Sequence, residues 1–219
     1  MRRLLFEKKG NAIWISHLDL MRLFQRAFKR AGLSLTHTKG FNPRPSVSIA
    51  LPLSVGVCSS CELLDFELEG MDISCEEILQ RLNGALIDGV SVLQVYEDGK
   101  KLKELAFMQC SVTLEYDGGV KEDCVSRITQ LFQQEELFVE KKSKNGVQDQ
   151  NIIPMLKELT VSCQDANTVV IQAVVCCQNP SLNPMQLAAA IQRYLPDLAP
   201  DFSFCSRHEI LDHNMKVFR

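Results

Sequence analysis

The order of strand-like and helix-like segments constrains the fold of this chain more than any other feature. Segments in which apolar residues alternate predict strands, and segments in which they recur every three or four positions predict helices. In the first half these segments follow the order β-α-β-β-α-β with one extra strand, and the second half repeats that order. The sequence therefore predicts an α+β fold of tandem ferredoxin-like (β-α-β-β-α-β) units with antiparallel sheets.

The predicted elements divide at a polar link that covers residues 97–105. The first half has strands at 3–8 with 12–15 (one bulged strand or a hairpin), 33–37, 46–50, 62–69 and 90–96, and helices at 17–31 and 75–86. The second half has strands at 107–116, 137–142, 168–177 and 203–211, apolar segments at 152–156 and 159–162, a turn at 144–149, and helices at 124–132 and 183–194. We therefore predict a basic N-terminal domain at 1–98 and an acidic C-terminal domain at 99–219.

The helix at 17–31 has the clearest start signal in the chain. Ser16 stands three residues before Asp19, the spacing of a capping box, so each side chain is expected to accept the backbone amide of the other residue. Gly32 supplies a C-terminal stop. The apolar side chains of this helix fall on one arc, and four cations gather on the opposite side: Arg22, Arg26, Lys29 and Arg30.

Positive charge concentrates in the first 50 residues. They contain ten Lys or Arg against two acidic residues, a net charge of +8, whereas the remainder of the chain carries −11. A basic region attached to an acidic remainder is typical of proteins that bind an anion such as nucleic acid. A merely solvated helix face has the same pattern, so both interpretations stay open.

A loop with two prolines, at 40–45, follows the helix. Pro43 and Pro45 fix their own φ angles and push the preceding residues toward extended conformations, so the loop is stiff. Phe41 is expected either to stack on an RNA base or to fill the gap beneath the loop. The predicted nucleic-acid contacts are Arg22, Arg26, Lys29, Arg30, Lys39, Phe41, Asn42 and Arg44. The predicted structural residues of the motif are Ser16, His17, Asp19, Gly40, Pro43 and Pro45.

These residues together resemble the signature of the DUF2344 family, the radical SAM-associated proteins. The resemblance rests on 16–19, Arg22, 26–27, 30–33, 40–43, 52–56 and Glu62, with weaker matches at 141–142, 153–154 and Arg207. Family members occur as free-standing chains or fused behind a radical SAM enzyme, so the resemblance implies such an enzyme as partner. Where the family usually has His between the two prolines, this chain has Arg44, which keeps a cationic contact but no imidazole.

His17 is the residue that a catalytic hypothesis would choose as general acid or base. Alternatively, it hydrogen-bonds the loop at 41–42 and holds this loop against the helix. The sequence fixes no second acid or base beside His17, and acid-base catalysis needs positioned partners.

Nine cysteines without a signal peptide predict reduced thiols in the cytoplasm. Cys58 and Cys61 form a CxxC, but a structural zinc site normally needs a second pair, so neither a metal nor another cofactor is predicted. No segment approaches the roughly 18 apolar residues of a membrane span. Walker, dinucleotide-binding and HExxH motifs do not occur in the sequence.

Three functional hypotheses compete. The first is a non-catalytic RNA-binding or substrate-presenting accessory protein that works with a radical SAM enzyme in RNA modification and does not read DNA sequence. The second is an RNA-processing enzyme that uses His17 as acid or base. The third is an interaction partner of a radical SAM domain that makes no contact with RNA.

Overall fold

The computed structural model describes residues 1–70, 72–143 and 146–219, and these residues form a mixed α+β fold with four α-helices. They group into two compact units, Met1–Leu102 with Arg219 (unit 1) and Lys103–Phe218 (unit 2). The predicted domain boundary at 98/99 stays a prediction. No helix among the described residues is both long enough and apolar enough to cross a membrane.

Unit 1 contains four strands and two α-helices. They are β1 (Arg2–Lys8), α1 (His17–Arg30), β2 (Val47–Ile49), β3 (Cys58–Phe66), α2 (Cys75–Asn83) and β4 (Val90–Glu97). The strands pair antiparallel in the order β4-β1-β3-β2. Helix α1 buries its apolar arc in the core, where Phe24 contacts Phe6 with ring centroids 4.7 Å apart and Phe28 contacts Phe66 at 5.0 Å. These aromatic contacts fix the face of α1 that points outward.

Unit 2 repeats the strand order of unit 1 with a hairpin inserted. Its elements are β5 (Leu105–Glu115), α3 (Cys124–Phe132), β6 (Phe138–Ser143), β7 (Gly146–Asn151), β8 (Leu156–Asp165), β9 (Thr168–Cys176), α4 (Met185–Tyr194) and β10 (Phe202–Asp212). The antiparallel order is β10-β5-β9-β8, and β6 pairs with β7 alone. The predicted α+β class with antiparallel strands is confirmed, whereas tandem ferredoxin-like units stay a prediction.

The segment after β1 differs from its prediction. Residues 12–15 form no strand, because Gly10–Trp14 is a 3-10 helix. The buried ammonium group of Lys8 donates hydrogen bonds to the carbonyls of Ile13 and Ile15, at 3.0 and 2.8 Å. Those carbonyls therefore accept hydrogen bonds from a side chain rather than from the backbone of a neighbouring strand.

The strand predicted at 33–37 is also wrong. That segment makes two isolated bridges, from Leu35 to Leu68 and from His37 to Pro45. A longer ladder cannot continue through Pro45, which has no backbone N–H to donate. In unit 2, residues 146–149 of the predicted turn belong to β7, and residues 144 and 145 lie outside the described residues.

Candidate nucleic-acid interface

The start of α1 is fixed by its N-cap. The hydroxyl of Ser16 accepts a hydrogen bond from the Asp19 amide at 3.2 Å, as predicted. The same hydroxyl donates to Oδ2 of Asp19 at 2.7 Å, so the carboxylate takes the Ser16 hydroxyl rather than its predicted partner, the Ser16 amide. This bond and that from Arg22 lower the pKa of the Asp19 carboxyl. Asp19 therefore stays ionised at the positive end of the helix dipole, where a negative charge is favoured.

The outward side of α1 carries the four predicted cations, here called the α1 cation face (Arg22, Arg26, Lys29 and Arg30). All four side chains are exposed. Arg22 binds Asp19 at 2.9 Å, and Nη2 of Arg30 donates to the Ala85 carbonyl at 2.6 Å. Arg26 and Lys29 make no hydrogen bond or ion pair within residues 1–70, 72–143 and 146–219. The face therefore holds cationic groups available to an external anion.

A shallow groove of about 460 Å³ runs along this face. Three arginines and Asp19 form its polar lining, and apolar side chains complete it. The lining residues are Ile15, Asp19, Arg22, Leu23, Arg26, Arg30 and Ile87. Lys29 lines a second groove on the other flank of α1, together with His37 and Pro45, which form an isolated bridge with each other.

Hydrogen bonds join the two sides of the proline loop at its base, and the residues at its tip are exposed to solvent. The Thr38 amide donates to the Arg44 carbonyl at 2.8 Å, and the Arg44 amide donates to the Thr38 hydroxyl at 3.0 Å. Residues 39–44 are all exposed. Phe41 is fully exposed, so the alternative in which it fills a gap beneath the loop is wrong. Gly40 has a φ of +152°, a conformation that other residues rarely adopt.

His17 is half-buried, and its Nδ1 atom is buried without a hydrogen-bond partner among the described residues. The expected hydrogen bond between His17 and residues 41–42 is not among the bonds of the described part of the chain. His17 does not pin the loop in the way the sequence suggested.

Two charged residues that the sequence placed in the basic region are buried. Arg3 binds both carboxylate oxygens of Asp65, at 2.6 and 3.0 Å. Lys8 is fully buried, and this burial lowers its pKa, although the nearby charge of Glu62 opposes the shift. The net charge of +8 therefore overstates the charge available on the surface.

The sequence analysis missed Lys8 as a structural residue, although strand phase was a usable signal. Side chains two positions apart point to the same face of a strand, and Lys8 follows Leu4 and Phe6 on the buried face of β1. It also missed Trp14, the one tryptophan of the sequence, whose side chain is 65% exposed.

The CxxC motif lies within β3. The pairing of β3 with β1 shifts register within this motif, because Ser59 pairs with Lys8 and Glu62 pairs with Phe6, so regular strand alternation does not apply to Cys58 and Cys61. Among the described residues, no group of three or more His, Cys, Asp or Glu side chains is arranged to hold a metal ion.

Comparison with solved structures gives a likeness of fold. A chain in the crystal structure of a Cbf5-Nop10-Gar1 complex has a TM-score of 0.51 and 10% identity, with 95% of this chain and 48% of that chain covered. A chain in the archaeal box H/ACA sRNP Nop10-Cbf5 complex has a TM-score of 0.47 and 9% identity, with 94% and 46% covered. This chain thus spans about half the length of those chains. At such low identity the first likeness concerns the fold alone.

Sequence comparison identifies the family. No curated protein matches the chain. The family model described as "Uncharacterized protein conserved in bacteria (DUF2344)" matches residues 2–184, which is most of the chain. The protein therefore belongs to the DUF2344 family.

Proposed function

We propose that this protein is a non-catalytic RNA-binding or substrate-presenting accessory protein that works in the cytoplasm with a radical SAM enzyme, in RNA modification. The α1 cation face and the exposed 39–44 loop are the proposed contact surface. The radical SAM partner follows from the family resemblance alone. We also propose that each unit is ferredoxin-like, supported by the strand orders β4-β1-β3-β2 and β10-β5-β9-β8.

One observation carries the proposal: Arg26 and Lys29 are exposed and make no hydrogen bond or ion pair among the described residues. Phosphate binding by such groups costs little, because no existing ion pair has to be broken. Arg22, Arg26 and Arg30 recur every four residues, so they are about 6 Å apart along the helix axis. A row of this kind suits a backbone that carries one charge per nucleotide.

The loop adds a second kind of contact. Phe41 presents an open ring face at the loop tip, and exposed aromatic rings stack on unpaired bases. Lys39 and Arg44, which are within three residues of Phe41 in the sequence, add two exposed cations to the same loop. Phosphate and base contacts are thus both available between Arg22 and Arg44.

A second candidate function is an RNA-processing enzyme in which His17 acts as acid or base. The residue is partly exposed, so its ring could meet a substrate hydroxyl or phosphate, but its Nδ1 atom is buried and is not the atom that a substrate would reach. Incubation of the isolated protein with RNA, followed by mass spectrometry of the products, tests this function. A cleavage or modification that falls about 100-fold in His17→Gln would replace the accessory role by catalysis.

Crosslinking in cells tests the leading proposal. Ultraviolet irradiation of bacterial cells that express the protein, followed by purification and peptide mass spectrometry, should recover RNA joined to peptides from residues 14–44. The Arg22→Glu/Arg26→Glu variant is the control, and it should yield no RNA above background. Crosslinks confined to unit 2, or equal RNA recovery with the variant, would contradict the proposal. A radical SAM protein recovered without RNA would favour the third hypothesis, a purely protein-binding partner.

A further inference from the structure

Trp14 stands out among the exposed residues of unit 1. It ends the 3-10 helix that precedes α1, and 65% of its surface is exposed. The exposed ring gives this part of the surface a large, flat apolar group that a ligand can contact.

The backbone on both sides of Trp14 is held in place. Lys8 donates from its buried ammonium group to the carbonyls of Ile13 and Ile15. The Gly56 amide donates a third hydrogen bond, at 2.9 Å, to the Ile13 carbonyl. Three bonds therefore fix the two residues that flank Trp14.

The indole ring itself lies against a glycine. A Cβ atom at Gly56 would come within 3.4 Å of Cζ3 and 3.8 Å of Cη2 of Trp14. Gly56 also has a φ of +83°, which other residues rarely adopt. The six-membered ring thus lies over Gly56, with room for about one methyl group between them, while most of the side chain stays exposed. A ring held in this way loses little conformational entropy when a flat ligand stacks on it.

Positive charge lies close by in the chain. Ile15, the next residue, lines the groove that Arg22, Arg26 and Arg30 border. The protein thus offers an exposed indole ring and a groove bordered by arginines. A ligand with a flat ring and a nearby anionic group would bind to both. A nucleotide has both parts, and its base is free to stack when the strand is unpaired.

We infer that Trp14 is a base-stacking platform and that the ligand of the α1 groove is single-stranded rather than duplex RNA. This inference rests on the proposed function, which assigns no role to Trp14. In a duplex the base faces are covered by neighbouring bases, so Trp14 could contact only a strand end. The alternative occupant, an apolar segment of a protein partner, would compete for the same ring and is an outcome of the test.

Trp14 supplies its own reporter, because it is the one tryptophan in the sequence. Titration of the wild-type protein with an unlabelled uridine oligonucleotide should quench its fluorescence, and a blunt duplex of equal length should quench it much less. Trp14→Ala should weaken single-strand affinity by about 10- to 100-fold. The salt dependence of binding should stay unchanged in that variant, because no charge is removed. Trp14→Phe keeps a ring and should recover part of the affinity.

The outcomes separate the inference from the proposed function. Salt-dependent RNA binding without quenching, and with equal affinity in Trp14→Ala, would overturn the stacking role and leave the RNA-binding role standing. Equal quenching by the duplex would overturn the preference for single strands. No RNA binding by the wild-type protein would overturn both. Quenching by a radical SAM protein but by no oligonucleotide would assign the ring to a protein partner and overturn the inference.

Discussion

The cations of α1 and those of the helices in unit 2 are of the same residue types but have different partners. On α3, the two Nη atoms of Arg127 bind the carboxylate of Asp197 at 2.7 and 2.9 Å. On α4, Arg193 binds the carboxylate of Asp149 at 2.9 and 3.3 Å. Arg26 on α1 has no such partner in the described part of the chain. The arginines on α3 and α4 form ion pairs within unit 2, whereas α1 has cations that remain available to bind an external anion.

This difference separates charge that stabilises a fold from charge that can bind a ligand. A guanidinium group that already holds a carboxylate at two points must give up that partner before it binds phosphate. Net charge alone does not reveal this, because Arg3 and Lys8 also count as basic residues while they serve the interior of unit 1. The pairing state of each cation is therefore the better guide to an anion-binding surface.

Charge reversal at matched pairs of positions should give the largest effect. Arg22→Glu/Arg26→Glu should abolish RNA binding, a loss of about 1,000-fold or more, because four units of charge change on the contact surface. The midpoint of thermal unfolding should change little, since exposed substitutions usually cost within about 0.5 kcal/mol. Fluorescence anisotropy with a labelled RNA and a thermal unfolding curve measure the two quantities.

The matched control is Arg127→Glu/Arg193→Glu in unit 2. It changes the net charge equally but breaks two ion pairs that each have two contacts, where the first variant breaks only the single contact of Arg22 with Asp19. It should therefore lower stability more and leave RNA affinity within about two-fold. If both double variants lose binding to the same extent, net charge rather than the α1 cation face determines affinity, and the comparison fails.

The next largest effect concerns a buried cation of unit 1. Lys8→Met should lower the free energy of unfolding by about 3 kcal/mol, because it removes one hydrogen bond from each of two carbonyls and removes the positive charge near buried Glu62. Lys29→Met, the exposed counterpart, should cost within about 0.5 kcal/mol. Urea unfolding of both variants provides the measurement. Equal costs would mean that the buried position of Lys8 does not matter to stability.

Helix caps provide a smaller contrast between the units. Ser16→Ala should cost about 1 kcal/mol in urea unfolding, because it removes the hydroxyl that accepts the Asp19 amide. Asp123 precedes α3 without a side-chain cap bond, so Asp123→Ala should cost less than about 0.5 kcal/mol. If Ser16→Ala proves as stable as the parent but loses RNA binding, Ser16 belongs to the contact surface rather than to the cap.

The smallest effect is a titration shift in unit 2. Arg127 lowers the pKa of the Asp197 carboxyl to about 2, below its ordinary value of 3.8. The pair therefore contributes its stability fully above pH 3.8 and loses this contribution as the pH falls through about 2. Carboxyl NMR titration of Arg127→Gln should show the pKa of Asp197 returning toward 3.8. An unchanged low pKa would mean that another group holds Asp197 ionised.

Local sequence patterns were sufficient to predict α1 but not the segment before it. The cap at Ser16 and the separation of apolar and cationic sides depend on residues within a few positions of each other. The 3-10 helix at Gly10–Trp14 depends instead on Lys8, whose ammonium group reaches carbonyls five and seven residues later inside the core. An exposed lysine and a buried one look the same in a sequence until the phase of the strand is considered.

The sequence predicted where the cations of the candidate site lie, but it did not predict which of these cations are paired within the protein. Helical periodicity placed Arg22, Arg26, Lys29 and Arg30 together, and the structure brings three of them to one groove. Whether a cation is paired depends on residues distant in the chain, such as Ala85 for Arg30 and Asp197, 70 positions from Arg127. Spacing along a helix carries no information about those partners.

The salt dependence of RNA affinity tests the central claim most directly. Each phosphate contact with single-stranded RNA contributes about 0.7 to the slope of log affinity against log salt concentration. We predict that Arg26→Gln reduces the magnitude of this slope by about 0.7 and that Arg127→Gln leaves it unchanged, because one cation is available and the other is held by Asp197. A slope that is the same in wild type and Arg26→Gln, or that falls equally in both variants, would contradict the account.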